Sequence, residues 1–252
     1  MTSRGTILPP PLRRVALALV VLVCGVCGVY AGRASLARTA AQEPDFSRAG
    51  EEAIRTLRAL VRIDTSNPPG NETLAAEHVQ SVLDEADISS KILALDPTRG
   101  NLVARLEGNG SKRPLLLMAH TDVVGVERAD WTVDPFGGVI RGGHLYGRGA
   151  SDDKGQLAAM VQVMLLLHRG QVPLARDVIL LAESGEEGTT EVGIDFMVER
   201  HWDEIDAEFA LNEGGQMTES GGTIETVSIA TTEKVPWRGI KLIAHGTAGH
   251  GS

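Results

Sequence analysis

Three short runs in this chain are apolar at every position: Leu115–Ala119, Val178–Ala182 and Phe209–Leu211. A strand with one wet face alternates polar and apolar residues. A run without alternation predicts a strand buried on both faces, as in a parallel sheet covered by helices. Between the first two runs, Leu157, Met160, Val161, Met164, Leu165 and His168 fall at helical spacing over residues 155–168. The order is therefore strand, hairpin-like excursion, helix, strand. The fold class expected is α/β, a mostly parallel sheet flanked by helices. Upstream, residues 44–85 read as helical, with Ile54, Leu57, Leu60 and Val61 on one face and a second helix over 73–86. The Pro, Gly and Asn content of Asp64–Asn71 marks a loop between them. Lys91–Leu95 and Leu102–Leu106 read as strands, the second ending in the turn Gly108-Asn109-Gly110.

With 252 residues, 42% hydrophobic and 23% charged, the chain has material for a core of one or two domains. Its net charge of −9 argues against a nucleic-acid partner, which requires a basic face. The N-terminus differs from the rest. Arg4, Arg13 and Arg14 precede an unbroken apolar run, Val15–Ala31, the pattern of an export signal. Residues 1–41 are expected to be a signal peptide or membrane anchor, and the protein to be exported to the periplasm or beyond. The run is just long enough to span a bilayer, and Val29 and Ala31 offer a cleavage site, so anchor and cleaved signal both fit. Cys24 and Cys27 read as apolar filler. No cysteine follows them, so the folded part has no disulfide.

In open α/β sheets ligands bind beyond the carboxyl ends of the strands. The residues that follow the three runs are His120 and Asp122, then Glu186 and Glu187, then Glu213. Asp152 joins them from the glycine-rich stretch Gly147–Gly155, where Asp152 or Asp153 also suits the N-cap of the next helix. Singly, each has a plain structural reading: a hydrogen-bonded histidine, a turn or helix cap, a solvated acidic loop. Together, one imidazole and several carboxylates from four separate segments make a site for divalent metal. The glycine stretch lacks the Gly-Lys-Ser/Thr ending of a phosphate loop.

In order and spacing, His120-Thr121-Asp122-Val123-Val124, Gly147–Gly155, Glu186-Glu187-Gly188 and Asn212-Glu213-Gly214 resemble the successive signatures of a known family. It is the co-catalytic zinc metallopeptidase family of aminoacylase-1, acetylornithine deacetylase, succinyl-diaminopimelate desuccinylase and glutamate carboxypeptidase. The likeness covers roughly residues 51–252 and leans toward exported, carboxypeptidase-like bacterial members. It implies that Asp152 bridges two Zn2+ ions, with Co2+ or Mn2+ as substitutes. His120 and Glu213 would complete one metal site and Glu187 would serve the other. Asp122 would orient His120, Glu186 would act as general base on the attacking water, and the Asp152–Asp153 peptide would be cis. Residues 42–235 would then be the N-terminal part of the catalytic domain, and 236–252 the start of an α+β lid through which such proteins form homodimers. There His250 would steady the developing oxyanion. His78, His144, His168, His201 and His245 match no ligand position and read as structural or surface residues.

Two departures from the family pattern stand out. Gly125 occupies a position usually held by proline. The chain ends at Ser252, before the rest of the lid and the histidine that completes the second metal site in relatives, which reads as a C-terminally truncated protein that holds the second ion weakly. The activity implied is hydrolysis of an amide bond in a small peptide or N-acyl amino acid, in the manner of a carboxypeptidase. The alternatives are an N-acyl amino acid deacylase and a catalytically silent, truncated binding or assembly module.

Overall fold

The computed structural model describes residues 45–228, all within the unit Glu43–Ser252. The apolar run Val15–Ala31 with its cysteines, the expected lid segment 236–252 and the histidines His245 and His250 lie outside the described residues.

Helix α1 (Phe46–Arg62) starts where the Asp45 side chain accepts the Arg48 N–H, an N-cap bond that satisfies one orphan donor of the first turn. After a loop, α2 spans Glu72–Asp84. The strands follow as β1 (Ser90–Ala94), β2 (Gly100–Leu106) and β3 (Leu115–His120), then the hairpin β4 (Val139–Arg141) and β5 (His144–Tyr146). Helix α3 (Lys154–Arg169) leads into β6 (Val178–Glu183), the short helices α4 (Ile194–Arg200) and α5 (Trp202–Ile205), and β7 (Phe209–Leu211). A second hairpin, β8 (Gln216–Ser220) and β9 (Thr223–Ser228), ends the described chain.

The main sheet has the order β1-β2-β6-β3-β7. Strands β3, β6 and β7 are mutually parallel, β2 runs antiparallel to β6, and β1 runs antiparallel to β2. All the strands except β2 therefore point the same way, the mostly parallel arrangement expected from the unalternated runs. The two faces of the sheet explain those runs. Leu117, Ala119, Val178, Leu180 and Ala182 pack with Leu60, Val79, Leu83, Leu157 and Val161 of α1, α2 and α3. Leu116, Met118, Ile179 and Leu181 pack on the opposite side with Phe196, Met197 and Ile205 of α4 and α5. Every residue of β6 is buried because both faces are covered.

Two expectations are corrected. The FAL run is not buried: Phe209 and Leu211 are 58% and 54% exposed, because β7 is the sheet edge among the described residues and no described helix covers it. Ile54 is also exposed, and the core face of α1 runs instead through Ala49, Thr56, Leu60 and Val61.

Candidate metal centre

The carboxyl ends of β3 and β6 lie side by side, His120 opposite Glu183, with β7 on the other side of β3. His120 closes β3 and is buried. Its Nδ1 lies 3.0 Å from the backbone carbonyl of Asp122 and 3.5 Å from the Asp122 carboxylate. An imidazole whose Nδ1–H is taken by a backbone carbonyl has Nε2 free to face outward. Around Nε2 stand Asp152 Oδ1 at 2.9 Å, Glu213 Oε1 at 3.8 Å and Glu186 Oε2 at 3.9 Å. Asp152, Glu186 and Glu213 keep side-chain exposures of 38%, 41% and 37%, so the cluster opens to solvent on the side away from the sheet.

The long α3 is anchored beside this cluster by a buried cation. Lys154 is completely buried, and its Nζ donates to the carbonyls of Leu60 and Ile63 at the end of α1. Burial pushes its ammonium down to about 8, although Asp64 and Asp122 pull the other way. The carbonyls left open at the end of one helix are thereby satisfied, and the start of α3, with Asp152 and Asp153, is fixed against α1. Gly149 lies in the left-handed region at φ +81°, and a Cβ there would meet Val123 at 2.7 Å, so the loop carrying the aspartates requires glycine. The Asp152–Asp153 peptide is cis, as the family resemblance implies.

The Asp122 carboxylate also reaches the glutamate-bearing loop. Its Oδ1 accepts the Glu186 N–H at 3.1 Å, while its Oδ2 accepts the Glu187 N–H at 3.0 Å and the Asn67 amide at 2.8 Å. Burial alone would raise its carboxyl, but the hydrogen bonds from His120 and Asn67 hold it below the usual range. For His120, burial would lower the imidazole, and the Asp122, Asp153 and Asp152 carboxylates outweigh that and raise it to about 10. Burial, then the charge of Asp152, pushes Glu187 and Glu213 upward. Burial likewise raises Asp153 and Glu183 to about 7. The cluster thus gathers more negative charge than one imidazolium neutralises, the condition in which bound protons give way to a divalent cation.

Donor atoms of His120, Asp153 and Glu213 lie within 4.8 Å of one another, as do those of His120, Glu186 and Glu187. His120, Glu186, Glu187 and Glu213, read from the sequence as site residues, are therefore brought together, with Asp152 in hydrogen-bond contact with His120. Asp153 belongs to the cluster too. It sits at the N-cap position of α3 but makes no capping bond, and its buried Oδ2 has no hydrogen-bond partner among the described residues. Glu183 is a second addition, 3% exposed with Oε2 likewise unpartnered. Asn67 is a third, seen in the sequence only as part of a loop. The doubled aspartate and the glutamate just after the Val178–Ala182 run were visible signals, whereas Asn67 had none. A Cβ at Gly125 would meet nothing within 4 Å, so a larger residue has room there.

Residues 116–240 match the family described as Peptidase family M20/M25/M40. Over 139 residues it is 38% identical to a probable succinyl-diaminopimelate desuccinylase of Staphylococcus epidermidis, covering 54% of this chain and 33% of that protein. An N-formyl-4-amino-5-aminomethyl-2-methylpyrimidine deformylase of Halalkalibacterium halodurans is 32% identical over 141 residues, covering 54% and 33%. The alignments thus span about a third of the length of these curated relatives. Among solved structures, an M20 family metallo-carboxypeptidase from Sulfolobus solfataricus shares the fold at a TM-score of 0.58 and 24% identity, over 66% of this chain and 40% of that one.

Proposed function

We propose that this protein is a metal-dependent hydrolase that cleaves an amide bond of a small peptide or N-acyl amino acid. The observation that carries the reading is the convergence of Asp152, Glu186 and Glu213 on the outward Nε2 of His120 at one end of a parallel sheet. Such a set of one imidazole and several carboxylates suits zinc, and cobalt or manganese as substitutes. His120, Asp152 and Glu213 would hold one ion, and Asp152 and Glu187 would contribute to a second. The buried, unpartnered oxygen of Asp153 supports a cation in the same place. Bound metal supplies charge stabilisation at the scissile carbonyl and a lowered pKa for water. The remaining chemistry belongs to the chain: Glu186, exposed and beside the cluster, takes the proton of the attacking water and returns it to the leaving nitrogen.

Two relatives are named for removing a succinyl and a formyl group, which favours N-acyl substrates within this class. The experiment is a comparison of chelated and zinc-reloaded forms of the gene's full product against N-succinyl, N-formyl and N-acetyl amino acids and dipeptides. Turnover should appear only on reloading, with metal retained through dialysis. Protein that retains no metal and shows no metal-dependent turnover would overturn the reading.

Export remains part of the proposal, resting on Arg4, Arg13 and Arg14 before Val15–Ala31. No helix among the described residues is long and apolar enough to cross a membrane. Residues 1–45 fused to a reporter active only outside the cytoplasm should give signal, and a silent reporter with stable fusion protein would refute export. By the same family resemblance, we propose a homodimer formed through the lid, with His250 steadying the oxyanion; sedimentation of the intact protein as a monomer would refute the dimer.

A further inference from the structure

The glutamate-bearing loop is held from two sides. Within the loop, the Thr189 N–H donates to the Gly185 carbonyl at 2.8 Å and the Gly188 N–H to the Glu186 carbonyl at 2.8 Å, making a tight backbone turn. On one side, the Asp122 carboxylate accepts the N–H groups of Glu186 and Glu187. On the other, the Thr189 hydroxyl oxygen accepts from Arg99 Nη2 at 2.9 Å and from Asn67 Nδ2 at 2.9 Å. The same Asn67 nitrogen donates to Asp122 Oδ2 at 2.8 Å, so the two tethers are joined through one amide. Turning the amide over would aim its carbonyl at the Asp122 carboxylate, so chemistry decides its orientation.

Arg99 is itself fixed. Its Nε and Nη2 form a forked pair with the Glu72 carboxylate, and both residues are buried. Gly70, at φ +86°, leaves the space for this pair, since a Cβ there would meet Arg99 Nε at 2.2 Å and Glu72 Oε2 at 2.5 Å. Three elements distant in sequence thus meet at Thr189: the loop before α2, the turn before β2 and the loop after β6. Its side chain gives none of the site's candidate ligand atoms.

We propose that Thr189 is a positioning residue of the metal centre, braced by Arg99 and coupled through Asn67 to Asp122, so that Glu186 and Glu187 are aimed by hydrogen bonds remote from the metal. This rests on the reading of His120 and the two glutamates as a metal site. A hydroxyl that merely stabilises the fold would lower unfolding resistance and leave the properties of the folded site alone. Here the bonds lead to the backbone that carries the ligand, so the site itself must change.

The test compares wild type, Thr189→Val and Thr189→Ser, each checked for native folding by circular dichroism. Valine keeps the shape and removes the acceptor, and serine restores it. In metal-free protein, amide exchange at Glu186 and Glu187 should quicken on the order of tenfold in Thr189→Val, as expected when a local tether is lost, and return in Thr189→Ser. In the cobalt-loaded protein, Thr189→Val should weaken cobalt binding about 10–100-fold and change the visible absorption bands, with serine near wild type. If wild type binds cobalt and Thr189→Val matches it in affinity, spectrum and exchange, the positioning role is overturned while the metal site stands. If wild type takes up no cobalt, the metal-site reading itself fails. Should Thr189→Val not fold, Asn67→Ala gives the same readouts, with unchanged exchange at Glu186 and Glu187 again overturning the proposal.

Discussion

Replacing Glu186 by glutamine is expected to remove turnover while leaving bound metal in place, whereas Glu187→Gln is expected to release metal. The two residues are adjacent, yet their surroundings differ. Glu187 is half-buried, and burial with the charge of Asp152 pushes its carboxyl upward, the mark of a group that a cation would relieve. Glu186 is more exposed, with Oε2 at 3.9 Å from His120 Nε2, where a base can meet a water molecule. Glutamine keeps the shape and cannot accept a proton, so Glu186→Gln should cost at least about 10²–10⁴ in kcat. The measurement is metal content by elemental analysis beside initial rates for both variants of the gene's full product. Loss of metal in Glu186→Gln with retention in Glu187→Gln would reverse the assignment.

The largest stability effect is expected at Glu72. Its carboxylate is fully buried against the Arg99 guanidinium, itself buried. Glu72→Ala leaves a cation in the interior with its forked partner gone. Removing one member of a buried pair costs about 3–5 kcal/mol, against about 0–1 kcal/mol for an exposed pair such as Arg113 with Asp206. Replacing both residues together, Glu72→Leu with Arg99→Met, should cost less than the single change, because no charge is left stranded. Denaturant titration of the three proteins decides it. A loss below about 1 kcal/mol for Glu72→Ala would show the pair to be solvent-screened.

Much of this fold is written in local pattern. Unalternated apolar runs announced β3 and β6 because both their faces are covered, and the spacing of Leu157, Val161 and Leu165 announced α3 because those positions share one helical face. The same reading misjudged β7: residue type reports a tendency to be buried, and only the position of the strand at the sheet edge decides whether anything covers it. Ligand-type residues after each run were legible for the same reason, since strand ends in such sheets face one crevice.

What the sequence by itself determined, then, was the sheet, its helices and the residue types along its rim. The tertiary structure alone decided how those residues are aimed. It turned Asp153 from a helix cap into a buried member of the cluster, joined Asn67 to Asp122 across 55 positions, and set Arg99 against Thr189 across 90. Periodicity is a property of neighbours on one helix or strand, whereas these bonds depend on where the ends of separate elements meet after packing. A side chain in a loop carries no periodic signal, and its hydrogen-bond partner is selected by the fold.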